Sequence, residues 1–170
     1  SVIDVKDSTG KKMRFYNAAY NPAIETVIAC SRVLFEIKNG TVTEFTATNK
    51  VKISDPVNAF VAGNGNIIVL NRKSEFFVID KNRNVTEITK DLDFNVFIPH
   101  IKYAESPDKS IWIAVPGLGM RQYQWQNDNH LKLLVSITSR QGLPNDVVTS
   151  MCFDKFQRLW ASTLSGIVIL

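Results

Sequence analysis

Four short apolar runs recur along the chain: Val27-Ile-Ala-Cys30, Ile67-Ile-Val-Leu70, Ile111-Trp-Ile-Ala114 and Leu159-Trp-Ala-Ser162. They begin at residues 27, 67, 111 and 159, spacings of 40, 44 and 48. A repeat constrains a fold more than any single motif does, because each unit must bury its apolar face against the next. Around each run lie further short apolar segments separated by tight polar turns, the pattern of antiparallel meanders. No segment keeps the 3.6-residue apolar rhythm of an amphipathic helix.

A repeat of roughly 40 to 50 residues holding four short strands suits one blade of a β-propeller, and leucine-rich or helical repeats do not share its pattern. The expected fold class is therefore all-β, a β-propeller segment of four-stranded antiparallel blades, with about three full blades and partial blades at both ends. Within the first repeat the strands run Phe15 to Tyr20, Thr26 to Cys30, Val33 to Lys38 and Thr41 to Thr46. The second uses Asn58 to Ala62, Ile67 to Leu70, Glu75 to Asp80 and Val85 to Thr89; the third uses Ile101 to Glu105, Ile111 to Ala114, Arg121 to Gln126 and Leu131 to Thr138. Asn39-Gly40 is a strong type I′ hairpin signal, since both central residues need positive φ. Residues 1–170 read as a single partial propeller, with blades at about 1–16 (strands c and d only), 17–49, 57–90, 100–138 and 147–170 (strands a, b and the start of c).

Composition narrows the function classes. The 20 Lys and Arg against 16 Asp and Glu leave a formal charge of +4. The cations are scattered among acids, where a nucleic-acid protein would concentrate them on one element, so no nucleic-acid partner is expected. No stretch approaches the roughly 18 to 20 apolar residues of a membrane helix. Ser1-Val-Ile-Asp-Val5 reads as a strand rather than a signal peptide. Cys30 and Cys152 lie within apolar strand patterns and are expected as buried free thiols.

Few residues carry chemistry. Gly63-Asn-Gly-Asn66 leads into a strand, whereas a phosphate loop must feed a helix N-terminus, so it reads as a turn. Gly117-Leu-Gly119 reads as a flexible insert between strands b and c. His100 and His130 are the only histidines, too few for a zinc site, and His100 lacks an apparent nucleophile or orienting acid. Metal, cofactor and catalytic residues are accordingly expected to be absent, although a propeller lyase using His100 or Tyr103 as base stays open. Trp112 and Trp160 at equivalent strand b positions, with Ile67 and Val27, read as the structural core of the repeat. Propeller ligands meet the loops joining b to c and d to a, which share one face. On that face Arg32, Arg72, Lys73, His100 and Arg140 are the candidate ligand-binding residues, donors suited to hydroxyls and carboxylates, uronic acids among them.

The last repeat carries Gly142-Leu-Pro144, Asn145, Val147 or Val148, Met151 to Asp154, Leu159-Trp160, Thr163 and Gly166-Ile167. This pattern resembles the regulator-propeller repeat of the periplasmic sensor regions of bacterial hybrid two-component histidine kinases. Phe156-Gln157 departs from it, standing where the family often has Gly, and the first and second repeats lack the Trp. The resemblance implies a periplasmic sensor segment without catalysis of its own, binding glycan-derived ligands such as oligosaccharides or mediating dimerisation. The implied partners are that ligand, a second copy, or the remaining blades of a longer chain. Two other classes stay open: a propeller enzyme such as a polysaccharide lyase, and a non-catalytic protein-interaction scaffold.

Overall fold

The computed structural model describes residues 5–6, 12–92, 94, 101–127 and 129–170. Its strands form four antiparallel meanders. The first is β1 (Asn17–Asn21), β2 (Thr26–Cys30), β3 (Leu34–Lys38) and β4 (Thr41–Glu44). The second is β5 (Pro56–Val61), β6 (Ile67–Asn71), β7 (Phe76–Ile79) and β8 (Val85–Glu87). A one-turn helix α1 (Thr89–Leu92) precedes the third, made of β9 (Lys102–Glu105), β10 (Ile111–Ala114), β11 (Met120–Trp125) and β12 (Leu131–Ile137). After one 3-10 turn (Ser139–Gln141) comes a three-stranded sheet, β13 (Val148–Phe153), β14 (Leu159–Thr163) and β15 (Gly166–Ile169). The chain is all-β, a propeller segment of antiparallel blades. Each strand pairs with its sequence neighbour in order, as the repeat requires.

One departure follows from local physics. Helix α1 and the 3-10 turn are single turns, too short to leave a 3.6-residue pattern. The c–d hairpin expected over 1–16 falls largely outside the described residues; what is described there is an antiparallel bridge between Lys6 and Lys12.

The chain divides into two compact units. In the first, β1 lies against β5, and the core between the two sheets contains Ile28, Cys30 and Leu34 with Ile67, Val69, Phe77 and Ile79. Asn17 Oδ1 accepts from the Ala59 amide at 3.0 Å, so the innermost strands are tied directly. In the second unit β9 lies against β13, and Trp112, Ala114 and Met120 pack with Val148, Met151, Leu159 and Ala161. Strand pleating explains the division of labour: alternate residues of each strand b face opposite neighbours. Ile28 and Cys30 serve one core with Ile67 and Val69; Trp112 and Ala114 serve the other with Leu159 and Ala161.

The same alternation corrects three expectations. Val27 is half-buried, because its face of β2 is opposite the one carrying Ile28 and Cys30 into the core. Trp160 is half-buried and outside the core that holds Trp112; its Nε1 donates to Asp154 Oδ2 at 2.9 Å. Cys152 pairs with Trp160 on that same outer face and is exposed, while Cys30 is buried and its thiol is pushed up to about 12 by desolvation. Ile67 and Trp112 are core residues, 4% and 7% exposed.

The hairpins at 71–75, 80–84, 106–110 and 154–158 share one design. The first residue's amide donates to the fifth carbonyl, and the fourth amide donates back to the first carbonyl. This is a type I turn closed by a residue in the left-handed region. Ser74, Arg83, Lys109 and Gln157 occupy that position with φ of 66°, 66°, 68° and 66°. Gln157 therefore stands where glycine would be unstrained, which gives the glycine of the family pattern a physical reason. At the Asn39-Gly40 turn both residues have positive φ, 50° and 78°, as a type I′ hairpin needs.

Candidate ligand-binding face

In the first unit the loops after β2 and after β6 are brought together by Asp55, just ahead of β5. Its amide donates to the Arg32 carbonyl at 3.0 Å, and its own carbonyl accepts from the Arg72 amide at 2.9 Å. Three predicted residues, Arg32, Arg72 and Lys73, thus sit on loops joined through one residue, and all three are exposed. Asn71 shapes the loop beneath them: fully buried, its Oδ1 accepts from the Lys73 and Glu75 amides and its Nδ2 donates to Glu75 at 2.7 Å. That arrangement fixes the backbone that presents Arg72 and Lys73 to solvent.

Sequence reasoning missed the segment leading into β1. Ser31, buried in the loop after β2, donates its hydroxyl to the Arg14 carbonyl at 2.7 Å, and the Tyr16 amide donates to the Cys30 carbonyl at 2.9 Å. These bonds dock Arg14 and Tyr16 on the same loops. Tyr16 is 54% exposed, and the Arg72 guanidinium lies 5.5 Å from its ring centroid. An exposed aromatic beside several cations can stack on a sugar ring or a planar group while the guanidinium binds its polar edge. The sequence carried a trace of this as Arg14-Phe-Tyr16, which strand propensity absorbed into β1.

The second unit repeats the clasp. Asp146, two residues before β13, offers its carbonyl to the amides of Gly117 and Gly119, and the Val147 carbonyl accepts from Leu164. The segment Val115 to Gly119 is thus a tied five-residue turn rather than a flexible insert. Its Val115 amide donates to the Gly119 carbonyl at 3.2 Å. Gly119 has φ of 69°, and a Cβ there would collide with the Ile137 carbonyl. Arg140 lies exposed in the 3-10 turn, capped by Thr138 and held by Ser139 donating its amide and hydroxyl to Asp146. Arg140 belongs to this second unit, and the Arg32–Arg72 clasp to the first. His100 lies outside the described residues.

Beside the first clasp, residues 45–53 between β4 and β5 leave a groove of about 440 Å³ over Leu34. Its far side is pinned to the second sheet: the Thr48 amide donates to the Arg83 carbonyl, and Asn49 bonds both the amide and the carbonyl of Val85. Arg83 itself forks onto Glu36 at 2.7 and 2.9 Å and lies 4.7 Å from the Phe45 ring centroid.

Two other titratable clusters are structural in geometry. His130 Nδ1 lies 2.9 Å from Asp91 Oδ2, which also accepts from the Leu131 amide and so fastens α1 to β12. The Tyr103 hydroxyl donates to Glu105 Oε2 at 3.1 Å. Burial, then the Glu105 charge, raises its pKa, which holds the phenol protonated. Among the described residues, no three His, Cys, Asp or Glu side chains converge on a metal position. No helix among them is long and apolar enough to cross a membrane, which says nothing of β-barrels.

Comparison with known proteins addresses the family. The two component regulator propeller model matches residues 142–165. Curated proteins give no match. Among solved structures, the extracellular domain of a protein named as a hybrid two component system from B. thetaiotaomicron superposes with a TM-score of 0.66 at 14% identity, over 95% of this chain and 23% of that one. A virginiamycin B lyase from Staphylococcus aureus gives 0.60 at 13% identity, over 97% of this chain and 61% of that one. A gluconolactonase from Xanthomonas campestris gives 0.56 at 15%, over 90% and 57%. The chain spans less than two thirds of each, and likenesses at such identity speak to fold alone. The fold is that of the β-propellers, and residues 142–165 within it match the two component regulator propeller model.

Proposed function

We propose that this chain is a ligand-sensing, extracytoplasmic propeller segment of a hybrid two-component signalling protein. It has no catalysis of its own and takes a glycan-derived ligand on the loops joined by Asp55. The observation that carries the reading is the clasp itself. Arg32, Arg72 and Lys73, three exposed cations, share one backbone-tied loop cluster with the exposed Tyr16 ring. A guanidinium fork suits a uronate carboxylate or a pair of hydroxyls, and an aromatic face suits the apolar side of a sugar ring. The regulator-propeller repeat and the likeness to a hybrid two component extracellular domain support the sensing role and the periplasmic location. Against a lyase stands Tyr103, whose raised pKa and bond to Glu105 make it a poor general base near neutral pH.

Neutral and uronate-containing oligosaccharides should be titrated into the chain, reading both thermal shift and product formation. Stabilisation by a uronate-bearing glycan without turnover is expected, with affinity falling at least tenfold in Arg72→Ala and weakening as salt rises. Turnover would make the chain a propeller enzyme instead. Silence across the whole panel would favour an interaction scaffold.

A further inference from the structure

The groove under residues 45–53 lies beside the basic clasp and is built differently. Its floor is the unit's own core: Leu34, Ala47 and Ile53 are 3%, 7% and 7% exposed and line it. Val51, at 40% exposure, forms an apolar lip. Lys50 and Lys52 flank Val51, both exposed, and neither side chain pairs with an acid among the described residues. Lys50 holds a left-handed backbone at φ 60°, closed by its amide bond to the Ala47 carbonyl at 3.1 Å. Glu44, also lining the groove and exposed, leaves the mouth with two cations and one anion.

Its volume of about 440 Å³ lies within the roughly 300 to 1,000 Å³ usual for small-ligand sites. A sugar would leave the buried Leu34, Ala47 and Ile53 floor facing hydroxyls, whose desolvation goes unrepaid there. A purely apolar molecule would leave the lysine pair unused. From this combination we infer that the groove binds a small amphipathic carboxylate, with its hydrocarbon body on the Leu34–Ala47–Ile53 floor and its carboxylate at Lys50 and Lys52. The inference is independent of the glycan reading, since it uses neither Arg32 nor Arg72 nor Lys73.

The test is calorimetric titration of the whole chain with hexanoate, heptanoate and octanoate, each below its micelle concentration, and with octanol. Affinity should rise about fourfold per added methylene, as burial of each CH₂ group predicts. Lys50→Gln combined with Lys52→Gln should weaken octanoate about tenfold and leave octanol unchanged. Val51→Trp, at an exposed position that tolerates a large side chain, should abolish binding of both. Arg72→Ala should leave octanoate untouched, which separates this site from the clasp. Circular dichroism of each variant reports whether the fold is retained. Absence of octanoate binding at millimolar concentration would overturn the inference. So would binding without chain-length dependence, or binding indifferent to both the lysine and the Val51 variants.

Discussion

At the scale of single residues, the turn at Asp154 does the most with the least. Its Oδ1 accepts from the amides of Phe156 and Arg158, and its Oδ2 from Arg158 Nε and Trp160 Nε1. Partial desolvation alone would raise its pKa. The Trp160 bond and the Arg158 and Phe156 bonds outweigh that and hold the carboxyl well below the usual range. A carboxylate with a depressed folded-state pKa stabilises the fold fully above its unfolded value of about 3.9. That contribution is lost as pH falls from there toward the folded value. Asn at this position can still accept both backbone bonds, as Asn71 does in the equivalent turn. Asp154→Asn should therefore leave the fold intact at neutral pH and flatten the fall in Tm between about pH 5 and 3. A wild-type Tm that declines no faster than the variant's over that range would show that the carboxylate does not carry the acid sensitivity.

At the scale of elements, one sheet offers a controlled comparison of buried and open faces. Leu159 on β14 is 2% exposed against the third sheet, while Ile167 on neighbouring β15 is 66% exposed. Leu159→Ala should cost about 2 to 4 kcal/mol, through lost transfer energy and the cavity left behind. Ile167→Ala should change stability by about 0.5 kcal/mol or less, as surface substitutions do. Urea unfolding of the two variants measures both. The contrast also marks how far the sequence could be read. The strands b of the second and third sheets were legible because two buried faces leave an unbroken apolar run, as in Ile67 to Leu70 and Ile111 to Ala114. Which face of the first and last sheets is covered was not legible, since periodicity records alternation and not neighbours; Cys152, Trp160 and Val27 were misjudged for that reason. The loop residues Arg32, Arg72 and Lys73 could be named, because turn chemistry bounds the strands. Their tie through Asp55 could not, because it depends on backbone bonds from Asp55 to Arg32 and Arg72, residues on two different loops. The groove over Leu34 was invisible for the same reason: residues 45–53 have no regular pattern, and only their docking on Arg83 and Val85 opens the space.

For the whole molecule, the open face of the last sheet has the widest consequence. Cys152, Trp160 and Ile169 align across β13, β14 and β15, with Ile167 two residues along on the same face. Ile167 and Ile169 are 66% and 46% exposed. Contiguous apolar surface of this kind marks an association site in most soluble proteins. In the second unit, the opposite face of the same strands is covered by the third sheet through Leu159 and Ala161, so a strand of similar pleat can cover this one too. We therefore expect the chain to self-associate through the β13–β15 face. Sedimentation velocity should show a mass that grows with protein concentration and persists in high salt, because apolar burial is not screened as charge pairing is. Ile167→Glu with Ile169→Glu should return the chain to a monomer while leaving its unfolding midpoint nearly unchanged, since both side chains are exposed in the single chain. A wild-type chain that stays monomeric at high concentration would refute association through this face, and association that survives the double substitution would move it to another surface.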